Sequence, residues 1–156
     1  MAETDLDAVL DVQHHCYPDH LIESRTALLS RQRLAPHTCW IAASPQGCLG
    51  YLFAHPWAGE QLPALDAALP ALPAQPDSLF VHDLALHPRG RGRGLARRLL
   101  RPAFEHARQQ GLRYSRLIAV EGAARFWHTL GYEARPTCPS KTAQYGETAV
   151  LMARPL

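Results

Sequence analysis

Hydrophobic residues in the first third of the chain predict two helices and a hairpin. Leu6, Val9 and Leu10 follow the i, i+3, i+4 spacing of an amphipathic helix, with Thr4 available as an N-cap. Two β-rich runs further along are separated by four residues, as in a hairpin with a four-residue loop. The predicted elements are helices over 5–15 and 24–34, the second ended by Pro36, and strands over 38–43 and 48–55.

A proline-rich segment, residues 56–77, follows the hairpin. Its five prolines lie among Ala and Leu residues and allow at most one short helix, around 65–69. Because a linker is usually more polar, the repeated leucines favour a surface excursion that packs against the body of the protein. A partly mobile flap over a site is the alternative.

The second half of the chain alternates between strand and helix patterns. A strand, a helix and a strand in succession imply a right-handed parallel crossover. We therefore predict a single domain, 1–156, of class α/β (α+β), with a mixed central sheet and the order ααβββαβαββ. The second-half elements are strands over 79–86 and 116–120, helices over 94–110 and 122–130, and closing strands over 132–135 and 148–153.

Charge is distributed unevenly along the chain of 156 residues, although the net charge is only +2. Residues 1–88 hold ten acidic and three basic groups, whereas residues 89–156 hold thirteen basic and four acidic groups. The basic excess is greatest between Arg89 and Arg116, which indicates a polyanionic ligand on the second half and suits a cationic ligand on the first. Alternatively, the charges interleave in the fold and only solvate the surface.

Composition excludes several classes of protein. No apolar stretch approaches the ~18 residues of a membrane span, so no membrane partner is expected. The acidic N-terminus lacks the basic flank and apolar run of a secretion signal, and we therefore expect a cytoplasmic protein. The four cysteines lie far apart without a CxxC pair, so we expect reduced thiols, no disulfide framework and no metal site.

The most informative segment is DLALHPRGRGRGLARRLL, residues 83–100. A strand leads through a glycine-rich turn into a helix, where backbone N–H groups can converge on an anion. Gly-Lys-Ser/Thr is absent, which excludes a Walker A loop, and Gly90, Gly92 and Gly94 alternate too strictly for GxGxxG. The remaining pattern is Arg-x-x-Gly-x-Gly/Ala, from Arg91 to Ala96. An Arg-Gly tract that binds RNA is a rival interpretation, but this tract runs directly into an apolar helical pattern.

With this motif the chain resembles the GNAT superfamily of acyl-CoA-dependent N-acyltransferases over nearly its whole length. The stronger element is the strand LALHP followed by RGRGLARRLL, and the weaker one is AARFWHTLGY, residues 123–132. The resemblance implies acetyl-CoA as co-substrate, with its pyrophosphate on the turn and its pantetheine paired along the strand, and no nucleic-acid partner. The implied pyrophosphate residues are Arg91, Gly92, Arg93, Gly94, Leu95 and Ala96, with Arg89 and Arg97 as helpers, and the implied pantetheine and acetyl residues are Leu84, Ala85 and Leu86.

The chain departs from the family pattern in three places. Trp127 replaces the tyrosine that protonates the leaving thiolate; its indole cannot act as that acid, and we expect it to pack against the pantetheine or the core. Tyr145 and His128 are the candidate substitutes. Val120 stands where the family often has Asn, and the family's opening strand is missing or vestigial because the first helix begins almost at Met1.

Transfer of an acetyl group to an amine requires an unprotonated nucleophile. An alkylamine has a pKa of about 10.4, so its deprotonation at pH 7 costs roughly 4–5 kcal/mol, and a base is valuable. The segment VHDLALH is similar to the LHxLAVH strand of arylalkylamine N-acetyltransferases, which implies that His82 is the base or a proton relay. Phe80 takes the place of that strand's other histidine, and Asp83 is the second candidate base. Strand alternation places His82 with Phe80 and Leu84 on one face and Asp83 on the other, and only one face can meet the acceptor.

The resemblance places the acceptor between the first two helices and the final hairpin. Acidic and aromatic side chains there favour a small cationic or aromatic amine over a protein N-terminus or lysine. These candidates are Asp11, Asp19 and Glu23, with Trp40, Tyr51 and Phe53. A protein or peptide N-acetyltransferase and a CoA-binding module without catalysis are the alternatives. The sequence leaves the acceptor and a homodimeric state open.

Overall fold

The computed structural model describes residues 1–59 and 61–156, which build a six-stranded sheet with helices on both faces. The strands are β1 (Trp40–Ser44), β2 (Gly47–Trp57), β3 (Ser78–Leu86), β4 (Tyr114–Ala119), β5 (Glu133–Ala134) and β6 (Val150–Pro155). Their order in the sheet is β1-β2-β3-β4-β6-β5, and β3 and β4 run parallel whereas the other described pairs are antiparallel. The predicted mixed sheet with a parallel crossover is therefore confirmed.

Five α-helices occur in the described parts of the chain. They are α1 (Leu6–Cys16), α2 (Arg25–Leu34), α3 (Leu95–Gln109), α4 (Ala124–His128) and α5 (Pro139–Thr142). None of them is long and apolar enough to cross a membrane. Helix α2 begins as predicted, because the Ser24 hydroxyl accepts the Ala27 N–H at 3.3 Å. The prediction of Thr4 as the N-cap of α1 is wrong, since Thr4 lies inside a short 3₁₀ turn and Asp5 holds that position without a side-chain cap.

The hairpin between β1 and β2 is tighter than predicted. Ser44 pairs directly with Gly47, so only two residues form the turn instead of four. Gly47 has a φ of +108°, a conformation that favours glycine and lets the chain enter β2 at once. The four-residue loop was predicted because the hydrophobic pattern does not extend into these polar residues.

The two faces of β2 pack into separate cores. Tyr51 and Phe53 point toward α1 and α2, whereas Leu52 and Ala54 point toward α3 and α4. All four side chains are fully buried. Burial of a large apolar side chain contributes about 1.5–3 kcal/mol, so these two layers hold the helices firmly against both faces.

The second part of the proline-rich segment, residues 61–77, is here named the strap. It contains no helix, and the short one predicted around 65–69 is reduced to a turn at 65–66, because Asp66 has a φ of +50°, which a right-handed helix does not allow. The predicted packing against the body is confirmed. Arg31 of α2 donates to the Ala67 and Ala64 carbonyls at 2.8 and 3.1 Å, and the Leu69 N–H donates to Ser30 at 2.8 Å.

Candidate active site

The parallel strands β3 and β4 separate halfway along their length. Their pairing runs from Ser78 opposite Tyr114 to Val81 opposite Leu117, while β3 stays paired to β2 as far as Leu86. A cavity of about 590 Å³ lies beside the separated strands. It is lined by residues of β3, of the turn before α3, and of the segments that follow α1 and β4.

A β-bulge in β3 changes which side chains face the cavity. Phe53 lies opposite Asp83 and the next residue of β2 lies opposite Val81, so His82 is the extra residue. Val81 and Leu84 both pack in the core beneath α3, although strict alternation would place them on opposite faces. The predicted separation of His82 from Asp83 is therefore wrong. Both side chains reach groups on the α1 and α2 side, which a regular strand would not allow.

The His82 imidazole is held by a buried carboxylate. Its Nε2 lies 2.6 Å from Glu23 Oε1, and both side chains are almost fully buried, with exposures of 1% and 3%. Glu23 precedes α2, where two hydrogen bonds between its backbone and the Gln13 side chain fix it. Burial raises the pKa of Glu23, but His82 and the Arg31 guanidinium lower it by more. The carboxylate is therefore charged at neutral pH and orients the imidazole.

Folding stability is expected to depend on the charge of Glu23. Because its pKa is below the ordinary value of 4.5, its contribution is complete above that pH and is lost as the pH falls toward the lowered pKa. The free energy of unfolding of Glu23→Gln should therefore approach that of the wild type below pH 4.5. Chemical denaturation across pH measures this. Glu3→Gln, which alters an exposed carboxylate, is the control and should keep the wild-type slope. Parallel curves for the wild type and Glu23→Gln would contradict the prediction.

Arg31 connects this carboxylate to the strap. Its Nη2 lies 3.7 Å from Glu23 Oε2, which also accepts the Asp66 N–H at 2.9 Å. Asp66 in turn accepts the Ser24 N–H at 2.6 Å. The Leu65 side chain beside these contacts lines the cavity. The strap is thus fixed beside the cavity by polar contacts to Glu23, Ser24 and Arg31.

Replacement of Arg31 by Met is expected to lower the free energy of unfolding by about 3–5 kcal/mol, because Glu23 is left buried without its cation. Urea denaturation measures the loss. Arg33→Met is the matched control on the same helix, since Arg33 is 64% exposed and pairs with an exposed glutamate. That control should lose less than about 1 kcal/mol. Equal losses in the two variants would show that the buried network does not stabilise the fold.

The Asp83 carboxylate accepts hydrogen bonds from two tyrosines. Its carboxylate oxygens accept the Tyr17 and Tyr51 hydroxyls, each at 2.6 Å. Burial raises the pKa of Asp83, and these two hydrogen bonds offset part of the increase. Tyr17 also contacts the Leu84 carbonyl at 3.3 Å and lines the cavity. Asp83 therefore holds the Tyr17 side chain against β3.

Tyr145 and Trp127 both line the cavity. The Tyr145 hydroxyl donates to the Pro63 carbonyl and so fastens the strap from the other side, and burial raises the pKa of this phenol. Trp127 packs edge-on against Tyr132 with ring centroids 5.2 Å apart, and its side chain belongs to the core beneath α3. Trp127 therefore contributes both to the wall of the cavity and to the core.

The glycine-rich turn leads into the N-terminus of α3. Gly92 and Gly94 have φ values of +74° and +70°, which other residues adopt at a cost. Gly94 is the N-cap and supplies no side-chain acceptor, so the first N–H groups of α3 are left for another partner. Arg91 and Gly92 line the cavity, whereas Arg93 lines a separate hollow on the β1 side.

The predicted acceptor residues are not brought together. Asp11 and Asp19 are exposed and Trp40 lines the β1 hollow, so only Glu23 of that set lies at the cavity. The aromatic residues that do line the cavity are Tyr17, Phe126, Trp127 and Tyr145. Among the residues in 1–59 and 61–156, no group of three His, Cys, Asp or Glu could hold a metal ion.

The family described as the acetyltransferase (GNAT) family matches residues 6–132. The chain belongs to this family. No curated protein sequence matches this GNAT chain. Its fold is similar to that of GphF, a GNAT-like decarboxylase in complex with isobutyryl-CoA, with a TM-score of 0.80, 17% identity, and coverage of 99% of this chain and 96% of that chain.

Two further GNAT structures share the fold. PaiA N-acetyltransferase from Thermoplasma acidophilum in complex with coenzyme A has a TM-score of 0.72 and 15% identity, with 100% of this chain and 96% of that chain covered. Arabidopsis thaliana Naa50 in complex with the bisubstrate analogue CoA-Ac-MVNAL has a TM-score of 0.72 and 13% identity, with 99% and 94% covered. At these identities the likeness concerns the fold.

Proposed function

We propose that this protein is an acetyl-CoA-dependent N-acetyltransferase that moves an acetyl group directly to the primary amine of a small cationic or aromatic molecule. One observation carries the proposal: a single cavity extends from Arg91 and Gly92, in the turn that leads into the uncapped N-terminus of α3, to the buried pair of His82 and Glu23. An anion-binding end and a proton-accepting end in one cavity are what this reaction requires.

The cofactor would bind along the turn and the free edge of β3. In this proposal the pyrophosphate accepts hydrogen bonds from backbone N–H groups at the N-terminus of α3. The pantetheine pairs with the edge of β3 beyond Val81, where β4 no longer pairs with it. The acetyl group then lies beside Leu84. The proposed contacts are Arg91, Gly92, Arg93, Gly94, Leu95 and Ala96 for the pyrophosphate, and Leu84, Ala85, Leu86 and Trp127 for the pantetheine. The complexes of GphF and PaiA with CoA compounds support a CoA-based cofactor.

His82 would take the proton of the attacking amine. The amine nitrogen bonds to the thioester carbon, its proton passes to the imidazole, and the C–S bond breaks to release the CoA thiolate. Glu23 favours the imidazolium that forms, because its charge lies 2.6 Å away. We assign Asp83 the role of positioning Tyr17 through their hydrogen bond rather than that of a base.

The leaving thiolate needs little help in this scheme, since a thiol has a pKa near 8.5. The sequence offers Tyr145 and His128 as candidate acids, and of the two Tyr145 lines the cavity. Its hydroxyl would first have to leave the Pro63 carbonyl, so we assign it mainly to anchoring the strap.

The strap supports a small acceptor. Leu65 lines the cavity, and the strap is held there by Glu23, Arg31 and Tyr145, which limits the room for an extended peptide. A peptide N-terminus is the alternative acceptor, because the bisubstrate analogue bound to Naa50 contains a peptide.

A screen of amines tests the proposed function. Thiol release from acetyl-CoA is measured with phenethylamine, spermidine and short peptides, and the acetylated product is identified by mass spectrometry. Turnover with a small amine, and little with peptides, is expected. Turnover with peptides alone would replace the small acceptor by a peptide. Binding of acetyl-CoA with no turnover of any amine would identify a CoA-binding module that lacks catalysis.

A further inference from the structure

Three buried nitrogen atoms near His82 have no hydrogen-bond partner among the described residues. They are His82 Nδ1, His55 Nε2 and Arg31 Nε. The three side chains come from β3, β2 and α2, and their exposures are at most 1%. An unpaired buried polar group costs about 1–3 kcal/mol, so each of the three calls for a partner. The His55 and His82 rings are neighbours, and Arg31 and His82 contact the same carboxylate of Glu23.

The bonded nitrogen on each imidazole fixes the role of the unpaired one. His55 Nδ1 lies 3.1 Å from the Pro56 carbonyl oxygen and must donate to it, which leaves a lone pair on Nε2. His82 Nε2 donates to Glu23, which leaves a lone pair on Nδ1. Arg31 Nε can only donate. The cluster therefore offers two acceptors and one donor.

We propose that one buried water molecule occupies a site bounded by His82, His55 and Arg31, accepting from Arg31 Nε and donating to the two imidazoles. Three polar partners are the usual number for a buried water. The imidazole centroids of His55 and His82 lie 6.0 Å apart, so the two rings are close enough to share one bridging water molecule. The rings of Trp57 and Phe80 also pack against that of His55, with centroid distances of 5.3 and 5.9 Å.

The same water serves both charge states of His82, a consequence that rests on the proposed function. When His82 becomes an imidazolium, its Nδ1–H donates to the water, which turns and keeps its bond to His55. His55 can stay an acceptor because burial, assisted by the charge on His82, lowers its pKa to about 3. The charged groups that act on it are His82 and Arg31, which oppose its protonation, and Glu23, which favours it. His55 is thus a positioning residue for the proton step.

The water site is tested on the wild-type protein without ligand. A high-resolution crystal structure should show one water within about 2.7–3.2 Å of all three nitrogen atoms. Nitrogen-15 NMR of the histidines should show the proton on Nδ1 of His55 and on Nε2 of His82. Absence of the water from a well-ordered site, or the opposite tautomer on either ring, would overturn the proposal.

A pair of variants tests the positioning role. His55→Phe keeps a ring in the aromatic cluster but removes the acceptor, whereas His55→Gln keeps a side-chain acceptor. The acid limb of the kcat profile should move by about one pH unit to lower pH in His55→Phe, since the imidazolium loses its partner, and should stay in place in His55→Gln. Identical limbs in the wild type and His55→Phe would overturn the positioning role. If no amine is acetylated, the proposed function fails, while the crystallographic and NMR tests of the water still stand.

Discussion

Replacement of Gly94 by Asp is expected to weaken acetyl-CoA binding by at least about 100-fold, because it places a carboxylate at the helix end that should hold the pyrophosphate. Gly94 is the N-cap of α3, and no atom lies within 4 Å of the position that a Cβ would occupy, so the substitution fits sterically. An aspartate there would cap the first N–H groups itself and repel the phosphates. Calorimetric titration with acetyl-CoA, and with 3′-dephospho-CoA to isolate the ribose phosphate, measures the effect.

The chain contains a matched control at the other end of the same helix. Gly111 has a φ of +77°, close to the +70° of Gly94, and its Cβ direction is equally open. Gly111→Asp therefore carries the same backbone strain and the same charge, but it lies far from the proposed pyrophosphate site. The affinity of Gly111→Asp for acetyl-CoA should stay within about threefold of that of the wild type. A distant surface charge is expected to change the binding free energy by less than about 0.7 kcal/mol. Equal losses in both variants would assign the effect to strain, and unchanged binding in Gly94→Asp would remove the pyrophosphate site from this turn.

Replacement of His82 by Ala is expected to lower kcat by about 10²–10³-fold while leaving the Kd for acetyl-CoA within about twofold of the wild type. The reason is that the imidazole takes part in proton transfer, whereas the proposed cofactor contacts come from the backbone of β3 and α3. Steady-state kinetics with the best amine, together with titration of the cofactor, separate the two quantities.

Two further variants show whether a lower kcat reflects the loss of proton transfer or a loss of folding. His82→Gln keeps a donor for Glu23 and should fold like the wild type, yet it cannot accept the amine proton and should lose kcat to a similar extent. His14→Ala changes an exposed histidine of α1 and should have no effect. A His82→Gln enzyme with full kcat would refute the role of His82 as base.

Local features of this fold could be predicted from the sequence. The helix start at Ser24 and the turn at Gly92 and Gly94 depend on short-range capping and backbone conformation, and both follow directly from residue type. The parallel crossover follows from the succession of strand, helix and strand.

The arrangement of the candidate site could not be predicted in the same way. Glu23 and His82 are 59 positions apart, and no periodicity connects them. The bulge at His82 changes side-chain direction without any glycine or proline to signal it, so regular alternation gave the wrong face for Asp83. Tyr17 was missed for a related reason: its only sign is a hydrogen bond to Asp83, 66 positions away, which forms after the sheet and α1 have packed.

The strap and the buried Glu23 carboxylate share one hydrogen bond, which the Asp66 N–H donates. Thermodynamic linkage makes this contact reciprocal: a closed strap favours the ionised carboxylate, and the ionised carboxylate favours the closed strap by the same free energy. Acidification that neutralises Glu23 therefore loosens the strap as well.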